Sequence, residues 1–118
     1  MRLLELEIKG AVPSKKNSKV KYGLTSMQHR RWHESATAQL LEYKNAGINK
    51  CEIQLDFWMP DNRRRDLDNM ITSVFDLLKD LQIIKDDSWQ VLFLITAEAK
   101  GIDRKNPRVE LWIKEMLM

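Results

Sequence analysis

The chain has 118 residues, 43% of them apolar and 31% charged, with a formal charge of +3 and a pI of about 9.1. That composition excludes a disordered polyelectrolyte, no run of roughly 18 apolar residues is present to cross a bilayer, and a single cysteine excludes an internal disulfide or a cysteine-rich zinc site. One compact domain over residues 1–118 is expected, cytoplasmic because residues 1–10 lack a signal-peptide core, and its basic balance favours nucleic acid or another anionic partner.

Leu4, Leu6 and Ile8 alternate with Glu5, Glu7 and Lys9, which predicts a half-buried strand ended by Gly10 and Pro13. Ser14 to Leu24 has no periodicity and carries Lys15, Lys16, Lys19 and Lys21, so it reads as a basic loop. Thr25 and Gln28 fit a capping box, and Trp32, Ala36, Leu40 and Tyr43 follow at helical spacing up to Gly47. The stripe places Trp32 in the core instead of on a nucleic-acid base. His29 and His33 share the metal-binding spacing of four, but no third ligand is in view, and a surface or DNA-facing role is expected.

Cys51, Ile53, Leu55, Phe57 and Met59 alternate with polar residues and Trp58, predicting a second strand that Pro60 closes and a thiol buried in it. Ile71, Val74, Phe75, Leu78 and Leu81 recur at three- and four-residue steps, an amphipathic helix over 69–81 with Asn69, Thr72, Asp76, Lys79 and Asp80 on its polar face. Residues 89–97 predict a third strand, Lys100 to Pro107 a turn, and Val109, Leu111 and Ile113 a fourth strand. The order β-α-β-α-β-β describes an α+β fold: a four-stranded mixed sheet with both helices on one face.

The chemistry concentrates in Arg63-Arg64-Arg65-Asp66-Leu67-Asp68-Asn69 and in Asp86-Asp87 about one helix later. Two aspartates two apart point away from each other in a helix but to one side in extended chain, so the pair belongs where the strand hands over to the helix, with Asp68 at or near the cap. Capping alone needs neither the second carboxylate nor three arginines. If the strand after Asp87 lies beside the one ending at Met59, three carboxylates converge, and so many like charges require a raised pKa or a cation between them. Hard oxygen ligands without His or Cys select magnesium, which keeps waters and adds a substrate phosphate.

Met59 to Val91, MPDNRRRDLDNMITSVFDLLKDLQIIKDDSWQV, resembles the RusA family of Holliday-junction resolvases, with a weaker echo in Val12-Pro13-Ser14 and Asn17. The resemblance implies a homodimeric, magnesium-dependent endonuclease acting in recombination and repair, which places paired nicks in four-way DNA and has no membrane partner. Carried over, Asp66, Asp68 and Asp87 would be the catalytic, metal-binding carboxylates, with Asp86 replacing Asp87 if the register differs. Lys15, Lys16, Asn17, Lys19, Arg63, Arg64 and Arg65 would contact DNA phosphates. One departure stands out: the family pattern has a lysine four residues after the second aspartate, and here that residue is Thr72. Lys85, Lys15 or Lys16 could stand in, or the chain could be a slow or inactive branched-DNA-binding module. A nucleotide-sugar transferase reading of Asp66-Leu67-Asp68 is disfavoured because the chain is short for the nucleotide-binding sheet it needs, and binding of a nucleotide sugar without DNA affinity would revive it.

Overall fold

A computed structural model describes residues 2–14 and 27–116. Four strands and two helices follow in the order β1 (Leu3–Lys9), α1 (Met27–Gln39), β2 (Cys51–Met59), α2 (Leu67–Asp80), β3 (Leu92–Ile102) and β4 (Arg108–Glu115), with one 3-10 turn, Leu41–Tyr43, after α1. The predicted α+β order holds. Both helices cover one face of a sheet ordered β1-β4-β2-β3. β4 runs antiparallel to both β1 and β2, whereas β3 runs parallel to β2, so the sheet is mixed.

Alternation in the strands explains the layers. Leu6, Ile8, Ile53, Leu55, Phe57, Val109, Leu111 and Ile113 are all buried and share one core with Trp32, Ala36 and Leu40 from the α1 segment, Met70, Val74, Leu77 and Leu78 from α2, and Leu81 just past its end. Cys51 lies fully within that core, where burial and then the Glu115 charge push its thiol pKa up to about 11. The intervening residues face solvent on the other side of the sheet.

Three boundaries differ from those expected. The first helix stops at Gln39 because that side chain serves as a strand partner: its Oε1 accepts from the Lys9 amide at 2.7 Å and its Nε2 donates to the Lys9 carbonyl at 3.0 Å. Tyr43 therefore sits in the following turn, which reverses through Asn45 and Gly47 at φ 66° and 65°. α2 begins at Leu67, with Asp66 as its cap residue and Asp68 already in the first turn. β3 starts later and runs further than predicted, to Ile102, leaving only residues 103–107 for the turn.

The crossover from β2 through α2 to β3 positions the site. After α2 the chain returns beside the segment preceding β2: Asn45, Gly47 and Ile48 donate to the carbonyls of Leu81, Gln82 and Ile83, and the Lys85 amide donates to the Ile48 carbonyl. Cys51 then donates to Val91 at 2.7 Å. The loop carrying Asp86 and Asp87 is thereby held at the rim where β2 begins.

Candidate functional site

At the opposite rim, where β2 ends, Asp61 folds the loop leading into α2. Its carboxylate accepts from the Arg65 guanidinium at 2.8 Å and from the Arg63 amide at 3.0 Å. The arginine first, and then the Arg63 amide, hold the Asp61 carboxyl down at a pKa of about 2. Arg65 also donates to the Arg63 carbonyl at 3.2 Å, and its side chain is only 16% exposed. Of the three arginines, Arg65 thus shapes the loop, while Arg63 and Arg64 face solvent. Sequence reading missed Asp61; its place four residues before an arginine was the available signal.

Asp66 has the extended backbone of a cap residue (φ −85°, ψ 122°), but its side chain makes no capping hydrogen bond. Its carboxylate instead accepts from the Asn69 side-chain amide at 3.3 Å and lies 3.6 Å from Arg64 Nε, on an arginine 91% exposed. Asp68 is exposed in the first turn, one carboxylate oxygen accepting from the Asn69 amide at 2.9 Å. Two hard oxygen groups beside solvent-facing guanidinium charge suit a magnesium ion that keeps most of its waters and takes a phosphate oxygen. Helix-start polarity also favours anions at this end.

Thr72, at the position of the family lysine, is exposed, and its hydroxyl donates to the Asp68 carbonyl at 3.0 Å. Its hydroxyl is therefore bound within the helix. Ser73, one residue on, is fully buried and donates to the Pro13 carbonyl at 2.9 Å. This bond ties Pro13 to the second turn of α2, near the Asp66–Asp68 end. Lys15, Lys16, Asn17 and Lys19, expected to contact DNA, lie outside the described residues.

Asp87 does not join the pair within one chain. Because β3 is parallel to β2, the residues before β3 lie at the start of β2, a full strand from Asp66 and Asp68. Asp87 is ion-paired there to Lys79 at 3.3 Å, and Lys79 also reaches Asp76 at 3.8 Å. Lys79 stands 11 residues beyond Asp68 on α2, about 16 Å along the axis. Side-chain reach shortens that gap without closing it: among the described residues, no three His, Cys, Asp or Glu are grouped to hold a metal ion. The expected convergence thus fails in one chain; the strand lies beside β2 as required, but in the sense that separates the carboxylates. Asp86 is exposed and adds charge to the same cluster, contributing to the raised Lys79 pKa, whose largest cause is the hydrogen bond to Asp87. Lys85 also lies at the Asp87 end, so within one chain it cannot replace a lysine at Thr72.

The remaining surfaces bear less on phosphate. On the open sheet face, Arg108 is bound by Asp103 at 2.9 Å and Glu110 at 3.3 Å and stacks 4.9 Å from the Trp58 ring. Neighbouring Glu5, Glu7, Glu52 and Asp56 make that face poor for a polyanion. His29 is buried, against the expected surface or DNA-facing role, whereas His33 lies partly exposed at the surface and joins the helices through Asp80 at 3.0 Å. No helix among the described residues is long and apolar enough to cross a membrane.

A small α+β domain with paired aspartates at a helix start, behind exposed arginines, offers a surface suited to phosphate. The model of the family described as Endodeoxyribonuclease RusA matches residues 5–114, nearly the whole length. The chain belongs to the RusA family and is of its endodeoxyribonuclease type. No curated protein matches it.

Proposed function

We propose that this protein is a magnesium-dependent, structure-selective endonuclease that resolves four-way DNA junctions as a homodimer, nicking two opposed strands. The observation that carries this reading is the Asp66–Asp68 pair at the start of α2, with the Asp66 carboxylate making no capping bond and lying beside Arg64, in a chain of the RusA family. Asp66 and Asp68 would hold a magnesium ion, which supplies Lewis-acid polarisation of the phosphate and a water of lowered pKa. Arg63 and Arg64 bind flanking phosphates, and Asn69 orients the Asp66 carboxylate through its amide. In the chemistry proposed, water oxygen bonds to phosphorus as one ester P–O bond breaks, and the departing oxygen takes a proton.

Dimerisation follows from two considerations. Paired nicks in a nearly twofold junction need two sites related by the same symmetry. Asp68 and Asp87 also lie at opposite ends of α2, so a third carboxylate beside one Asp66–Asp68 pair would have to come from a second copy. Junction selectivity would rest on shape, with affinity dominated by phosphate contacts. Thr72, whose hydroxyl is bound to the Asp68 carbonyl, favours a second reading in which junctions are bound but cut slowly or not at all.

The test is incubation of a synthetic four-way junction with wild type and Asp68→Asn, with magnesium or excess chelator. The nuclease reading requires symmetric nicks from wild type with magnesium alone, and binding without nicks from the variant. Binding without nicks by wild type supports the module. Equal affinity for junction and linear duplex sinks both.

A further inference from the structure

Of the chain's four tryptophans, three are engaged within the fold. Trp32 lies in the core, Trp58 stacks on Arg108 and donates to Glu110 at 3.4 Å, and Trp112 is half-buried in the sheet between Glu5 and Gln54. Trp89 is 77% exposed, more than any other large apolar side chain among the described residues. It stands at the tip of a polar turn: Asp86, Asp87 and Gln90 are exposed around it and Ser88 is half-buried. The turn is pinned at both ends. The Lys85 amide donates to the Ile48 carbonyl at 2.9 Å, and the Cys51 amide donates to the Val91 carbonyl at 2.7 Å. Between them the Val91 and Leu92 amides both donate to the Ser88 carbonyl, at 3.0 and 2.8 Å, while Asp87 is tied to Lys79. An indole with two rotatable bonds on so fixed a turn gives up little freedom when a ligand covers it.

The surroundings indicate which ligand. A single flat apolar face ringed by polar groups matches a partner that is itself flat with polar edges, and a nucleobase is that shape. The exposed Asp86 carboxylate repels a phosphate backbone at the tip, whereas the exposed ammonium groups of Lys85 and Lys50 attract one along its flanks. Lys50 directly precedes the amide that holds Val91, and its ammonium lies 5.9 Å over the Phe93 ring. A continuous duplex offers base edges in its grooves and keeps base faces stacked inside. Free faces occur where the stack is interrupted. We infer that Trp89 stacks on a base at the branch point of a DNA junction and so adds selectivity for branched over linear DNA.

This contact rests on the junction-binding reading above and gives part of that selectivity to one side chain. The test uses the full chain with excess chelator, so that DNA is bound and not cut, and compares wild type with Trp89→Leu and Trp89→Phe on a four-way junction and on a linear duplex. Trp89→Leu should weaken junction binding by roughly tenfold or more and leave duplex binding unchanged, with Trp89→Phe restoring most of the loss. A junction carrying 2-aminopurine beside the exchange point should change its emission on binding wild type, and the same base placed far out on an arm should not. Should Trp89→Leu misfold by circular dichroism, the base analogue on wild type decides. Wild type that prefers the junction, with the preference intact in Trp89→Leu and no change in emission, overturns the stacking contact and leaves the junction reading standing. Equal loss on junction and duplex, or loss of self-association without DNA, also overturns it, the latter by making Trp89 a protein contact. Wild type with no preference for the junction overturns the reading and the contact together.

Discussion

Mixing two inactive variants should restore activity if carboxylates of different chains share a site. Asp68→Asn removes a proposed ligand at the start of α2 and Asp87→Asn one at its far end, where Asp87 meets Lys79 at 3.3 Å. The axial gap of about 16 Å along α2 exceeds anything two aspartates around one ion can span. In a dimer of one variant with the other, one composite site then carries both substitutions and its twin carries neither. Random exchange in an equal mixture makes about half of the dimers mixed, each with one of two sites intact, so the mixture should regain about a quarter of wild-type nicks from two inactive parents. Mixed dimers should cut one strand only and leave nicked, unresolved junctions. The assay is strand-specific labelling of a four-way junction on denaturing gels, after co-refolding at equal concentration. A mixture as inactive as its parents refutes the shared site, and an active Asp87→Asn parent removes Asp87 from the chemistry altogether.

Thr72→Lys should leave the thermal midpoint within a few degrees of wild type, since an exposed helical threonine gives way to a better helix former, and should not abolish junction cleavage; complete loss argues against the alignment with the family lysine. Asp61 is held at a pKa of about 2 against its ordinary 3.8, so its ionised form stabilises the loop above about pH 4 and that contribution disappears as the pH falls through about 2. Urea midpoints of wild type and Asp61→Asn should therefore differ near neutrality and converge in acid, and a constant difference would assign the effect to packing. Cys51, with its pKa raised to about 11 and no exposure, should resist alkylation at pH 8 until urea unfolds the chain. Arg64→Ala should lower the slope of log affinity against log salt by about 0.9 if Arg64 meets one duplex phosphate; an unchanged slope places that arginine off the DNA.

Alternating and helical periods made the elements legible because burial on one face imposes them locally. Cys51 to Met59 and Ile71 to Leu81 are the clearest cases, and each element formed where its pattern ran. Ends were less legible, since tertiary partners decide them. Gln39 stops α1 by bonding the end of β1, and Asp61 folds the arginine loop through Arg65, contacts separated by 30 and 4 residues respectively. Among the arginines, sequence showed three equal charges; the structure turns Arg65 inward and leaves Arg63 and Arg64 outside. Asp66 and Asp68 could be proposed from sequence because their spacing is written in adjacent residues.

What periodicity could not show is strand direction. An alternating strand has the same pattern whether it runs with its neighbour or against it, yet that choice fixes which rim receives Asp87. A β2-α2-β3 crossover needs a helix long enough to return along the sheet, and the α2 that accomplishes this also sets its two ends apart. The parallel pairing that makes the fold compact therefore divides the carboxylates between opposite rims of one chain.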